Sequence, residues 1–204
     1  MKTYNAESGR SMIEMLGVLA IIGVLSVGGI AGYSKAMMKY RINKTIEQVT
    51  LIGGNIRSFF GPQRSYFDAG DSEVWRKAKL IPDEMWDNVR VWPVDLWGGD
   101  VDIQKSYGGS KEGFEIYYDG DSSEEECIEL VTHDWKTAGV KMIRVWASGC
   151  PDCHFIPPAS LDDAIKLCNK EDDNDLEMHY YFEINTDEAY WKNKIESTKA
   201  NLAN

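Results

Sequence analysis

Five consecutive residues, Cys150-Pro151-Asp152-Cys153-His154, have a spacing that could support chemistry. A C-x-x-C-H run can attach c-type haem through two thioethers while its histidine binds the iron. Zinc would need a fourth ligand beside these three side chains, and thioredoxin-like redox chemistry would need a βαβ context. No histidine or methionine elsewhere stands out as a second axial ligand. A membrane-anchored haem electron carrier is therefore one open alternative.

A lone carboxylate, Glu14, begins a run of twenty residues, 15–34, without any charge. Twenty helical residues span roughly 30 Å, the thickness of a bilayer's hydrocarbon core. An unpartnered carboxylate costs roughly 2.5–3.5 kcal/mol at mid-bilayer, which makes Glu14 a candidate functional residue. A simpler explanation is that the dipole of a helix N-terminus stabilises this acid. We expect a membrane-spanning segment; the alternative is a secretory signal peptide, whose apolar run is usually about 7–15 residues.

The residues around this acid, Gly9-Arg10-Ser11-Met12-Ile13-Glu14, lead directly into the uncharged segment. They resemble the prepilin processing site of type IV pilins and related pseudopilins, and the resemblance covers about residues 8–60. It implies that a peptidase cuts after Gly9, that the new amine on Arg10 is methylated, and that Glu14 is the fifth mature residue and acts in assembly. Arg10 stands where most members have phenylalanine or methionine, a departure that bears on methylation and leaves cleavage expected.

The same resemblance implies a structural protein and not an enzyme. The chain would be a subunit of a type IV pilus, of the IVb-like branch, serving adhesion, motility or surface contact. Its partners would be copies of itself in a helical filament, the prepilin peptidase, the inner-membrane assembly machinery and, before assembly, membrane lipid. A minor pilin or a type II secretion pseudopilin shares this N-terminal helix and is the nearest alternative. No cofactor or metal is expected.

Charge divides the 204-residue chain into a basic stalk and an acidic head. Six Lys and Arg residues stand against two Glu residues in positions 10–57, whereas positions 58–204 carry a net charge of −15. An acidic field of this size repels phosphate backbones, so no nucleic-acid partner is expected. We expect a leader at 1–9, a membrane-spanning assembly half-helix at 10–34, an amphipathic half-helix at 35–60 and a globular head at 61–204.

The location of the head is expected from its cysteines. All four fall in the acidic part, which fits an oxidising compartment. Lys and Arg are more numerous after the apolar run than before it, which by itself would place the head in the cytoplasm. The cysteines and the resemblance favour an inner-membrane subunit with a periplasmic head, and later an extracellular pilus.

An apolar stripe predicts that the N-terminal helix continues to about Phe60, because its members recur every three or four residues. The stripe consists of Ile42, Ile46, Val49, Ile52, Ile56 and Phe59, and the residues placed off it are Lys44, Glu47 and Gln48. Within the apolar run, Gly28 and Gly32 form a small-xxx-small pair that permits close helix packing.

The head is expected to be α+β, with the long helix packed on a small antiparallel sheet as in the type IV pilin fold. Strands are predicted at 89–92, 101–103, 114–118, 142–146 and 178–184 from their β-branched and aromatic residues. Helices are predicted at 127–135 and 160–169, the second opened by Ser160 with Asp163 three residues on. Residues 86–103 resemble the loop before the sheet of type IVb pilins, and the polar stretch 186–204 is compatible with a helix.

Four cysteines allow three disulfide pairings. Cys127 and Cys168 lie on apolar faces of the predicted helices, and a bridge between them would resemble the one that ties down the C-terminal region of pilin heads. We expect this bridge, which leaves Cys150 with Cys153. The rival scheme, which joins Cys127 to Cys150 and Cys153 to Cys168, stays open.

Overall fold

A long helix, α1 (Met12–Phe60), opens the described part of the chain. The computed structural model describes residues 12–63, 66, 72–87, 89–105, 113–147, 150–169, 177–182 and 188–203. The helix ends before Gly61-Pro62, as expected because proline lacks the backbone donor that a further turn requires. The chain divides into two compact units, residues 1–40 and residues 41–204, and α1 contributes to both.

The second unit contains one antiparallel sheet of five strands. They are β1 (Val101–Lys105), β2 (Phe114–Tyr118), β3 (Val140–Ala147), β4 (Cys150–Phe155) and β5 (Glu177–Phe182). Their order across the sheet is β1-β2-β5-β3-β4, which makes β1 and β4 the edge strands. A long N-terminal helix followed by a small antiparallel sheet confirms the predicted α+β fold.

The core of this unit includes one face of α1 beyond residue 40. Its buried members include Ile42, Val49, Ile52, Ile56 and Phe60. Two details of the predicted stripe are wrong. Phe59 is 45% exposed while Phe60 takes its place, and Gln48, placed off the stripe, is buried. At 3.6 residues per turn Phe60 lies five whole turns after Ile42, so Phe60 and not Phe59 is on the same face of the helix.

A glycine in α1 permits the closest approach between helix and sheet. A Cβ at Gly53 would overlap the ring of Phe182, the last residue of β5, whereas the same atom at Gly54 meets open space. Gly53 therefore lets an aromatic ring pack directly on the helix backbone, at the expense of about 0.5–1 kcal/mol in helix propensity.

Four further α-helices lie in the described part of the second unit: α2 (Ser72–Lys77), α3 (Glu124–Thr132), α4 (Leu161–Leu167) and α5 (Glu188–Leu202). The start predicted for α3, at residue 127, is wrong. Ser123 accepts from the backbone of Glu126 while the Glu126 side chain accepts from the backbone of Ser123, so a capping box begins the helix at Glu124. The predicted cap of α4 is confirmed, since Ser160 accepts from the backbone of Asp163.

The structure corrects two strand assignments. Residues 89–92 form no strand, because the carboxylate of Asp87 accepts from the backbone of Val89 and Arg90 and so turns the chain locally. Conversely, β4 was not predicted, since its Cys-Pro-Asp-Cys sequence is typical of a turn. It nevertheless pairs with β3 through a bulge.

Candidate functional site

The candidate assembly segment is the part of α1 in the first unit. Glu14 lies in the first turn of the helix, where the dipole favours a negative charge. The large apolar side chains that follow are exposed, among them Leu19, Ile22, Val24 and Leu25. Gly9 and Arg10, the predicted processing residues, lie outside the described residues.

The two glycines predicted for helix packing lie on this exposed stretch. No neighbouring atom lies within 4 Å of the position that a Cβ would take at Gly28 or Gly32. Within the described residues, α1 is the helix that is long and apolar enough to cross a membrane, with a mean hydropathy of 2.2 over an 18-residue window. None of that window is buried.

A buried carboxylate ties α1 to the head inside the second unit. Glu126, whose side chain is 1% exposed, lies 2.6 Å from the guanidinium of Arg41. Its other carboxylate oxygen accepts from the indole nitrogen of Trp97 at 2.9 Å and from the backbone of Ser123 at 3.0 Å. Burial raises the pKa of Glu126, but the hydrogen bonds from these donors lower it by more. The pKa therefore lies below its ordinary value.

Two disulfides lie in the head. Cys127 of α3 is bonded to Cys168, which follows α4, with 5.8 Å between their Cα atoms. This bond joins the helix that holds Glu126 to the C-terminal part of the chain. The second disulfide joins Cys150 to Cys153 within β4. No free cysteine is present.

The Cys150–Cys153 bond closes a β-bulge. Val145 of β3 faces Cys153 and Ala147 faces Cys150, so two residues of β4 lie opposite the single residue Trp146. The second bulge residue, Asp152, has a φ of 66°, in the left-handed region that aspartate tolerates better than most residues. The disulfide thus closes the bulge that contains Asp152.

His154 follows this bulge and is 2% exposed. Its ring packs against both Tyr181 and Trp191, with centroid distances of 5.9 and 5.8 Å, and its Nδ1 lies 3.0 Å from the carbonyl oxygen of Asp152. A c-type haem needs two cysteine sulfurs for thioethers and an open face on the histidine. Here the sulfurs are bonded to each other and the ring is enclosed, so these residues do not fit haem.

Comparison with known families identifies the chain. A protein-family model described as PilS N terminal matches residues 39–179. The chain belongs to the PilS N-terminal family. This family is type IV pilin-like and structural, and the long apolar helix followed by the five-stranded sheet fits a type IV pilin. No curated protein sequence matches the chain.

The PilS match covers only some of the residues for which the sequence predicts a role. It includes Arg41, Glu126 and all four cysteines, but it begins after Glu14, Gly28 and Gly32 and ends before α5. The assembly role of Glu14 and the helix-packing role of Gly28 and Gly32 therefore stay predictions.

Sequence reasoning missed the buried contacts of this PilS-family head. Arg41 and Glu126 are 85 residues apart, and Asp152 and Lys194 are 42 apart, so no local spacing links either pair. One signal was available for Glu126: Ser123 and Glu126 stand three residues apart, the spacing of a capping box.

Proposed function

We propose that this PilS-family chain is a prepilin, a membrane-inserted subunit that prepilin peptidase cuts after Gly9 and that polymerises through its N-terminal helix into a type IV pilus. Residues 1–9 act as the leader, 10–34 as the membrane and assembly half of the helix, 35–60 as its amphipathic half and 61–204 as the head. The observation that carries the proposal is Glu14, a single carboxylate in the first turn of an exposed apolar helix.

Cleavage gives this carboxylate a partner. Removal of nine residues leaves a positively charged amine on Arg10, which the Glu14 carboxylate of a neighbouring subunit neutralises. At an effective dielectric constant of about 20, opposite charges 4 Å apart attract by about 4 kcal/mol. The exclusion of water from a bundle of apolar helices maintains that attraction.

The pairing also sets the stagger of the filament. Arg10 and Glu14 are four residues apart, a rise of about 6 Å along a helix, so pairing them displaces each subunit along the axis relative to the next. Such a contact joins two different surfaces and does not close on itself, and repeated contacts of this kind generate a helical filament. The exposed apolar side chains and the Gly28–Gly32 pair then pack against neighbouring helices.

The proposed cleavage and assembly also determine where the subunit is located. Before assembly the apolar half-helix lies in the inner membrane and the head in the periplasm, where the two disulfides form; after assembly the subunit lies in an extracellular pilus. The partners are the peptidase, the assembly machinery, membrane lipid and copies of the chain.

Substitution of Glu14 tests the proposal. We expect Glu14→Ala and Glu14→Gln to insert in the membrane and to lose the leader, yet to give few or no filaments in electron micrographs of sheared cell-surface material. The matched control is Glu47→Gln, which removes a carboxylate from the same helix where the side chain is 64% exposed. Filaments of normal number and length from the Glu14 variants would contradict the proposal.

A further inference from the structure

Helix α5 packs along the edge strand β4 with one face. Trp191, Ile195, Thr198 and Leu202 recur every three or four residues and therefore share that face, and Lys194 lies beside them, three residues after Trp191 and four before Thr198. Trp191 and Thr198 are buried although most of the helix is polar, and Trp191 packs against Met142 and Tyr181. This helix lies beyond the part of the chain that the PilS family match covers.

Two polar contacts fasten α5 to β4. The backbone N–H of His154 donates to the hydroxyl of Thr198 at 2.8 Å, which satisfies an outward-facing donor of an edge strand. The ammonium of Lys194 lies 2.5 Å from Asp152 Oδ2, and the other carboxylate oxygen of Asp152 lies 2.7 Å from Nε of Arg144 on β3. Asp152 therefore connects α5 to the sheet through a charge-assisted hydrogen bond from Lys194 and an ion pair with Arg144.

The bulge closed by the second disulfide positions this carboxylate. Cys150 and Cys153 are both fully buried, and the bond between them holds Asp152 in its left-handed backbone conformation. A relaxed strand would place this side chain elsewhere, because a bulge redirects the side chains of the strand that contains it.

We propose that the Cys150–His154 segment is an acid-sensitive clasp that holds α5 on the edge strand at neutral pH and releases it on acidification. The C-x-x-C disulfide positions Asp152 as the counter-ion of Lys194. The buried His154, enclosed by Trp191, is the group that senses acid.

Burial and the cations around His154 favour its neutral form while α5 is docked. Burial lowers the pKa of His154 to about 4, because desolvation outweighs the nearby Asp152 carboxylate. Arg144 on β3 and Lys194 on α5 also disfavour a second positive charge. Further titratable groups near His154 in the described part of the chain are Asp163 of α4 and Lys199 of α5, which line a cavity together with His154, and Tyr181, Glu115 and His179 on the sheet.

The sign of the pH effect follows from this depressed pKa. An exposed histidine takes up its proton near pH 6.5, whereas His154 takes it up near pH 4 while α5 is docked. Docking is therefore strongest above about pH 6.5 and weakens as the pH falls towards 4. Asp152, whose pKa lies below its ordinary value because the Lys194 hydrogen bond and nearby cations outweigh burial, stays ionised across this window.

Hydrogen exchange on the full chain in detergent micelles tests the clasp. Exchange of α5 amides is compared with exchange of α3 amides at pH 7.5 and pH 5.0, after correction for the intrinsic pH dependence of exchange. We expect the α5 rate relative to α3 to rise about 30-fold at pH 5.0, the linkage value for a pKa that moves from 6.5 to about 4. An unchanged ratio, or equal loosening of α3 and α5, would overturn the proposal.

Three variants distinguish the role of His154 in the pH response from the role of Lys194 in holding α5 on β4. His154→Phe keeps an aromatic ring against Tyr181 and Trp191, and we expect the pH response of α5 to fall below about threefold. Lys194→Met should raise α5 exchange about fivefold at both pH values, while Lys192→Met, on an exposed position of the same helix, should change it less than about twofold. A full pH response in His154→Phe, or equal effects of the two lysine variants, would refute the clasp.

Discussion

Most large apolar side chains are exposed in residues 12–40 of this chain, whereas many are buried in residues 41–203. In the first unit Val24 is 74% exposed, and its neighbours on α1 are similarly uncovered, whereas Ile52 and Ile56 on the same helix are fully buried. Burial of a Val or Ile side chain contributes about 1.5–3 kcal/mol. The exposed apolar side chains of the first unit do not contribute this stabilisation within one subunit. Its surface is suited to an apolar environment that comes from outside, either lipid or other copies.

Acidic side chains show the same contrast. Glu126 is buried and has its partners, Arg41, Trp97 and Ser123, inside its own subunit. Glu14 lies at the exposed start of α1, and the partner we propose for it belongs to another subunit. The head thus satisfies its buried carboxylate within one subunit, whereas the proposed role of Glu14 requires a second one.

The largest effect expected within the head comes from loss of the Cys127–Cys168 bond. The two cysteines are 41 residues apart, and a loop of that length contributes about 4 kcal/mol in the chain-entropy model. Cys127→Ser/Cys168→Ser should lower the free energy of unfolding of the head by about that amount in urea, followed by tryptophan fluorescence. Membrane insertion should be unchanged. A head of unaltered stability would show that the native contacts, without the bond, suffice.

A pair of substitutions on α1 measures the contrast between the units directly. Ile52→Ala removes a fully buried side chain and should lower the free energy of unfolding of the head by about 3 kcal/mol. Val24→Ala, the matched change at an exposed position, should alter it by less than about 0.5 kcal/mol. Urea unfolding of the full chain in detergent gives both values. Equal losses would mean that the exposed stretch also supports the head.

A smaller effect is expected at Glu126. Replacement by Gln should lower the free energy of unfolding by about 2 kcal/mol, because hydrogen bonds to a buried charge are lost, whereas Glu125→Gln at an exposed position on the same helix should have almost no effect. The pKa of Glu126 lies below its ordinary value of 4.5, so the ionised form stabilises the head above that pH.

The difference between wild type and Glu126→Gln should therefore stay constant from pH 8 to about pH 5 and shrink as the pH falls through the lowered pKa. A difference that grows on acidification would assign the stabilisation to another group.

The sequence predicted the fold where local chemistry agrees with tertiary packing. The apolar spacing and Gly61-Pro62 define α1 because the same residues that favour the helix also form its buried face and its end. The prediction failed where local and tertiary preferences differ. Residues 89–92 are β-favouring, yet Asp87 turns the chain, and β4 contains turn-favouring residues that a disulfide and the neighbouring β3 hold in a bulge.

The candidate sites also differ in whether a local sequence pattern or tertiary packing defines them. Glu14 and the C-x-x-C-H run were visible because they are local patterns. The partners of Glu126 and Asp152 come from distant parts of the chain, and only packing brings them together. The chemistry suggested by a local pattern can also be excluded by packing, as it is for haem at His154.

The most direct test of the account is the intact mass and N-terminal sequence of the subunit recovered from filaments. We expect a polypeptide that begins at Arg10, because the amine created there is the proposed partner of Glu14 on the next subunit. An assembled subunit that still begins at Met1 would contradict the account, since the free amine on Arg10 that is the proposed partner of Glu14 would not exist.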